Sequence, residues 1–588
     1  MRFSGSAGVW PALVFLLLVL VVPVGQLLGL SITDESGHLS LAAFGRLFET
    51  TLYIKVLFNT FNLALWSTVV CLIGGYPVAY LLAAGPMSFR RIMLIGVMVP
   101  FWTSVLVRTF AWLIILGRHG ALNQFFAQLG IADSRPDLIY NFTGVLIGLT
   151  QAMMPLAILT MSAVMQQTER DIQYAAATLG ARGAHVFWRI FFPLSLPGVS
   201  AAGLLVFITA LGFFVTPVFM GSPRETMIAQ LIVVQIDEML DWGFAGAIAV
   251  LLLATSLIVF YIVDKVLGIA ALAGETRERS ENGPGPFGRA SGRVGLKIVA
   301  ALGWVFAFLG QKLDHVLKRR SGMTIGSPSL GTCLIALFVI FFLAAPCLVL
   351  VPISFSEGST FDWPPSGFSL QWYQAIANSP LWREAILRSI WVGLWTALLA
   401  IVLGTPAAFA LTRHQIAGKP IIIGTLLLPL VMPHIIVALA LFYAFSKVGL
   451  LGSSFGLILG HTIFALPYAV VTMMAVLRGY DQRLDQAAWG LGAGRMATFW
   501  WITFPLIKTG MATAFVFSFV KSFDELTVAL FISGGTSTTL PKQMWAESVL
   551  NISPVLAAVS TLIIAGAICV TIFGLFVGQK FTSAEGGK

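Results

Sequence analysis

The chain has 588 residues, 58% of them hydrophobic and only 10% charged, with a mean hydropathy of +0.90 and a formal net charge of +10. Soluble domains carry about a quarter of their residues as charges, and burial saturates with size, so no water-soluble fold hides this much apolar surface. What remains is a polytopic membrane protein, in which excess Lys and Arg marks cytoplasmic loops rather than a nucleic-acid partner.

A bilayer core of roughly 30 Å needs about 20 apolar residues as helix. About twelve such runs follow one another: 9–30, 60–84, 92–116, 143–165, 198–220 and 244–263, then 330–353, 386–411, 420–446, 455–477, 509–533 and 555–578. Lipid-exposed strands are excluded, because an open sheet edge leaves backbone groups unpaired in hydrocarbon, and the runs are too long for barrel strands. The first run follows "MRFSGSAGVW" and has no small-x-small cleavage pattern before the acidic "SITDESGH", so an uncleaved helix is expected. Cys71, Cys333, Cys347 and Cys569 each lie within an apolar run without CxxC spacing, as buried thiols do.

Charge sets the orientation. With the N-terminus inside, the inner loops contain Arg90, Arg91 and "TRHQIAGK", whereas "TDES", "QIDEMLD" and "SEGSTFD" fall outside. The positive-inside rule then puts both termini in the cytoplasm. Between the sixth and seventh runs, 267–329 opens with "GETRERSENGPGPFGRASGR", a polar, Gly- and Pro-rich tether. It continues into an apolar stretch bounded by Lys297 and by Lys312 and Asp314, too short to span and suited to a surface helix. The organisation predicted is a first half, 1–266, a cytoplasmic linker, 267–329, and a second half, 330–588. Each half has six spans, so the two point the same way as a parallel repeat. The fold class is all-α.

One segment occurs twice. "YAAATLGARGAHVFWRIFFPL" begins at Tyr174 and "QAAWGLGAGRMATFWWITFPL" at Gln486, within inner loops 166–197 and 478–508. Each has a polar start and then small residues: Ala175, Ala176, Gly180 and Ala181 in one, Ala487, Ala488, Gly492 and Ala493 in the other. Pro193 and Pro505 stand at the mouth of the next span. Small side chains let a partner surface approach, Gly permits a bend, and Pro fixes helix entry. Such a helix–turn–helix, shown twice, suits a two-fold symmetric partner.

The repeated segment resembles the "EAA" loop of bacterial ABC importer permeases: Glu-Ala-Ala, three residues, Gly, nine residues, Ile-x-Leu-Pro. Ala175, Ala176, Gly180, Ile190 and Pro193 match it, as do Ala487, Ala488, Gly492, Ile502 and Pro505. The Glu is replaced by Tyr174 and Gln486, and the Leu before Pro by Phe192 and Phe504. A salt bridge to the partner from the motif Glu is therefore not expected, while the small-residue surface is kept. "PFWTSVLVRTFAWLIILGRHGALN", "GYPVAYLLA" and "GFFVTPVFMGSP" are similar to the first permease of spermidine/putrescine importers. "SFSEGSTFDWPPSGFSLQWYQAI" and "SFDELTVALFISGGTSTTLPKQMW" are similar to its partner permease. The resemblance implies the type I importer fold, with the two permeases fused, in a bacterial inner membrane. It implies two copies of an ATPase under the two loops, an extracytoplasmic solute-binding protein, and a polyamine or another small solute such as ferric iron. No GxxxxGK[ST] occurs in the chain, so ATP and Mg belong to the partner ATPase; the chain itself is expected to bind no cofactor and perform no catalysis.

Ionisable residues within spans are costly and mark pathways. Asp524 and Glu525 interrupt the run 509–533, with Lys521 one turn before Glu525. Two readings stand: carboxylates facing a cationic solute, or an internal Lys521–Glu525 pair that fixes packing. The positions of the first half equivalent to Asp524 and Glu525 are Gly212 and Phe213, which makes any such site asymmetric. Trp102, Phe213, Phe214 and Phe523 are candidates for a cation–π lining or for plain packing. His119, His434 and His461 have no metal-ligand spacing. A gradient-driven transporter using Asp524 and Glu525 is the alternative mechanism.

Overall fold

The computed structural model describes residues 7–33, 38–118, 120–128, 130, 137–167, 172, 175–176, 178–179, 186–267, 330–359, 363–365, 367–550, 553–566 and 568–569. The linker expected at 267–329 lies outside them, save for Leu267. Among the described residues the chain is helical, with only two isolated bridge pairs, Thr33–Leu39 and Ser356–Phe368. Helices close every backbone hydrogen bond within one segment, as hydrocarbon requires. Their outward faces stay apolar: Phe338, Phe341 and Trp391 are all more than half exposed. A water-soluble protein would cover such a surface.

Ten described helices are long and apolar enough to cross a membrane, and Lys419–Val431 with His434–Val448 makes an eleventh span bent by 94°. The runs expected at 92–116 and 420–446 are therefore each two helices. Met87–Trp102 breaks at Thr103–Ser104 before Val105–Leu116, and Lys419–Val431 breaks at Met432–Pro433 before His434–Val448. Pro433 forces Met432 into extended backbone (ψ 134°), which no helix accepts. The runs 198–220 and 509–533 also divide. The spans Phe187–Leu211 and Arg495–Phe523 stop, and short helices Val215–Met220 and Thr527–Ile532 follow. Of the run 555–578, the helix Pro554–Gly566 is described.

The halves match element by element. Thr51–Ala84 packs along Phe142–Met165, and Pro380–Arg413 along Ser454–Arg478. Internal prolines recur at matched places: Pro77 and Pro406, Pro100 and Pro429, Pro155 and Pro467. Even an N-terminal cap is duplicated. Ile228 N–H donates to Thr60 Oγ1 at 2.9 Å, and Leu540 N–H donates to Ser389 Oγ at 2.7 Å. In each case a long helix supplies the hydroxyl that satisfies an orphan donor of a helix returning into the bundle.

The first span of each half lies against the other half. Ala7–Leu30 packs on Pro380–Arg413, Lys419–Val431 and His434–Val448, while Leu330–Ser354 packs on Thr51–Ala84, Met87–Trp102 and Val105–Leu116. Small residues make the approach possible. A Cβ on Gly8 would lie 2.6 Å from the Pro406 carbonyl oxygen, and one on Gly96 would lie 2.7 Å from Ile340 Cγ2. Gln151 Nε2 donates to the Leu343 carbonyl at 3.1 Å, a polar tie between halves inside the bundle.

Candidate functional site

Non-helical backbone at membrane depth is tolerated only where it is buried in protein or lines a cavity. Here the breaks meet in pairs across the halves. Gly212, at the end of Phe187–Leu211, abuts Pro433: a Cβ on Gly212 would come within 2.7 Å of Pro433 Cβ and 2.9 Å of its Cα. The pseudo-equivalent meeting joins Asp524, at the end of Arg495–Phe523, to Ser104. One crossing is closed by bare backbone against a proline ring. The other opens into a cavity of about 320 Å³.

That cavity is lined by Trp102 and Ser104 from the first half and by Ile386, Ile390, Phe519, Phe523, Asp524 and Met544 among others from the second. Nearly all of the wall is apolar. The Asp524 carboxylate is the single ionisable group on it, and its Oδ1 is buried without a hydrogen-bond partner, as is Trp102 Nε1. Lys521 and Arg108, whose Nη1 donates to the Ala152 carbonyl at 3.2 Å, are near enough to act on Asp524 electrostatically. A carboxylate beside aromatic faces in an otherwise apolar cavity favours a ligand with a cationic head and a hydrocarbon body.

Glu525 points elsewhere. Lys521 Nζ donates to Glu525 Oε2 at 2.7 Å, and Glu525 is 2% exposed. The pair is embedded in a polar cluster. His434 Nε2 lies 3.5 Å from Lys521 Nζ, the His434 ring stacks on Phe464 at 4.3 Å, and His461 Nδ1 pairs with Ser522 Oγ at 2.9 Å. The first-half positions matching Lys521, Glu525, His434 and His461 hold Thr209, Phe213, Val105 and Leu149, so this cluster belongs to one half alone.

The second copy of the repeated loop forms a helix, Arg483–Gly490, a turn at Gly492, and a short helix, Arg495–Thr498, leading through a π-turn, Phe499–Thr503, into the next span. Gly492 adopts φ +86°, and the Ala493 N–H donates to the Ala488 carbonyl at 2.9 Å, a helix end that glycine serves best. Ala487 and Gly492 are exposed, Ala493 is half-buried, and Leu491 at the tip is 90% exposed. Ala488 is buried and faces the bundle, so it is not part of the outer surface. In the first copy Ala175 is exposed and Ala176 half-buried, whereas Gly180 and Ala181 lie outside the described residues.

Behind the second loop sits a buried carboxylate. Asp485, 2% exposed, accepts from Arg413 Nη1 at 2.5 Å, Tyr480 Oη at 2.6 Å and Thr503 Oγ1 at 2.9 Å. The Arg413 guanidinium also lies over the rings of Phe409, at 4.8 Å, and Tyr480, at 5.0 Å. Burial pushes the Asp485 carboxyl up, but hydrogen bonds from Tyr480, Thr503 and Arg413 outweigh it and hold the group below its ordinary range.

Of the expected pathway residues, Asp524, Trp102 and Phe523 share the cavity. Glu525 is turned into the ion pair, Phe213 packs into the apolar core, and Phe214 rests on Trp545 at 5.6 Å. Ser104, Ile386, Ile390 and Met544 line the cavity without a sequence signal, because ordinary helix residues carry none. Asp485 and Arg413 were also missed. The one available hint was that both charges stand at the ends of apolar or small-residue runs.

A family model described as the inner membrane component of binding-protein-dependent transport systems matches residues 73–268 and again 419–583. The spermidine/putrescine transport system permease protein PotB of Escherichia coli (strain K12) is 33% identical over 219 residues, covering 37% of this chain and 80% of that one. PotC of Shigella flexneri, a permease of the same named system, is 29% identical over 246 residues, covering 42% of this chain and 93% of its own. A solved bacterial ABC transporter for the acidic polysaccharide alginate shares 18% identity over 43% of this chain and 95% of its own, with a TM-score of 0.33.

Proposed function

Since this chain belongs to the family of binding-protein-dependent transport inner membrane components, with one match in each half, we propose that it is the fused permease of an ATP-driven importer for small organic cations of the polyamine type. The observation that carries the substrate reading is the Asp524 carboxylate, the ionisable group among the described lining residues of an aromatic and apolar cavity between the halves, with its Oδ1 free of hydrogen bonds. Similarity to two permeases named for spermidine and putrescine supports it. A solute-binding protein delivers the cation at the outer face. An ATPase dimer docks under the two repeated loops on the cytoplasmic side, where both termini lie. Closure of the ATPase drives the loops, and the halves rock so that the cavity opens to one side and then the other.

The test is reconstitution with the ATPase and binding protein encoded beside this chain, measuring ATP hydrolysis with putrescine, spermidine and ferric iron in turn. Stimulation by a polyamine supports the full reading. Stimulation only by iron keeps the importer and removes the polyamine. Failure of any ATPase to associate removes the importer, and ATP-independent uptake would replace it with a gradient-driven carrier.

The docking loop gives a separate expected result. Gly492→Val forces a β-branched side chain into φ +86°, costing about 1–2 kcal/mol locally, and puts bulk on the exposed turn. Co-purification of the ATPase should fall, and normal recovery of the complex would count against docking at this turn.

A further inference from the structure

The buried Asp485 cluster sits at the inner ends of two helices whose other ends line the cavity. Arg413 is the last residue of Pro380–Arg413, and the same helix brings Ile386 and Ile390 to the cavity wall. Thr503 precedes Phe504–Phe523, which brings Phe519 and Phe523 there and ends at Asp524. At 1.5 Å per residue, each helix separates the cluster from the cavity by roughly 30 Å. Asp485 itself lies in the first turn of the docking helix Arg483–Gly490. One carboxylate therefore ties the docking helix to both rods that reach the cavity.

We infer that Asp485 is the positioning residue through which movement of the second docking loop reaches the cavity, by a tie that the matched residues of the first loop cannot build. The inference rests on the importer reading. Three features support it. The carboxylate uses one oxygen for Tyr480 and Thr503 and the other for Arg413, so its orientation is fixed from both sides. The Arg413 guanidinium lies over two rings and is itself largely buried, which leaves the pair little freedom to swing. The matched positions of the first half are Ala84 for Arg413, Gln173 for Asp485 and Phe191 for Thr503, so that sequence cannot build the same ion pair. Coupling between distant sites is carried by packed side chains, hydrogen-bond and salt-bridge networks and rigid helices, and this cluster joins all three. The two ATPase protomers thus pull on inequivalent links: one is fastened to the cavity-lining helices by a charged cluster that the matched residues of the first half cannot reproduce.

The experiment reads nucleotide-driven change at the cavity and needs no transported solute. Ile390 is replaced by cysteine in a background without Cys71, Cys333, Cys347 and Cys569, and the permease is purified with its ATPase. The rate of maleimide labelling is compared between the nucleotide-free complex and the complex trapped with ATP and vanadate. In the parent the rate changes on trapping. In Asp485→Ala the ATPase stays bound and traps vanadate, but the labelling response shrinks about tenfold, the scale of a typical coupling free energy between sites. Asp485→Glu restores most of it. Should Asp485→Ala not fold, Tyr480→Phe and Thr503→Val, which leave the ion pair intact, are expected to give a graded loss. A full response in the folded variants overturns the inference. So does loss of the ATPase from Asp485→Ala, which would make the residue a docking element, and so does an unresponsive parent that still traps vanadate. Absence of any ATPase from the parent overturns the importer reading instead, an outcome visible before labelling begins.

Discussion

Glu525→Ala is expected to destabilise the protein by about 3–5 kcal/mol, since it removes the carboxylate that Lys521 pairs with at 2.7 Å and leaves the ammonium beside the Phe464 ring. Lys521→Met should do similar damage from the other side. The double variant Lys521→Met/Glu525→Leu should recover most of the loss, because a well-packed apolar pair of similar volume often matches a buried ion pair. Thermal denaturation in detergent checks this directly. A double variant as unstable as either single one would show that the pair cannot be treated as self-contained. Solute uptake then gives a second answer: a stable double variant that still transports removes Glu525 from the pathway. Its contacts already suggest that role is filled, since Oε2 is taken by Lys521 and Oε1 faces the Val528 N–H.

Asp524→Asn is the contrasting case. Its Oδ1 has no hydrogen-bond partner, so the isosteric amide should cost only about 1 kcal/mol of stability. Uptake of a cationic solute should nevertheless fall by about a hundredfold, equal to about 2.7 kcal/mol, within the range for removing one partner of a desolvated charge pair. Flux measured in proteoliposomes with putrescine decides it. Unchanged flux would mean the carboxylate balances the Lys521 and Arg108 charges rather than that of the solute.

The number and direction of the halves were legible because a membrane imposes one strong rule, about 20 apolar residues per crossing. The repeated loop was legible because it is present twice. The breaks were harder to read. Met432–Pro433 carried a proline signal, but Thr103–Ser104 looked like any polar pair in a long apolar run. Asp524 and Glu525 stood out as charges, yet spacing alone could not tell which faced the cavity. Adjacent residues on a helix point about 100° apart, and the break after Phe523 changes even that. The pairing of Lys521 with Glu525 was one of two readings that the four-residue spacing left open; the arrival of His434 and His461 beside it depends on contacts between distant helices. Asp485 was hidden for a different reason. Its partners Arg413 and Thr503 come from helices on either side of the Ser454–Arg478 span, and no local pattern links them.

The crossing of the first spans has a consequence for biogenesis. When the ribosome has released the first half, the grooves that Leu330–Ser354 will fill remain open to lipid, and Ala7–Leu30 has no partner for the face it later presents to Pro380–Arg413. Neither half can reach its final packing by itself, so maturation waits on the synthesis of the other. Two separate polypeptides would have to find each other in the bilayer while carrying those unfinished surfaces. A single polypeptide delivers the missing helix to the same translocon and at the same moment, in fixed one-to-one stoichiometry. On this view, covalent fusion serves assembly: it shortens the interval in which incomplete halves are exposed to membrane quality control.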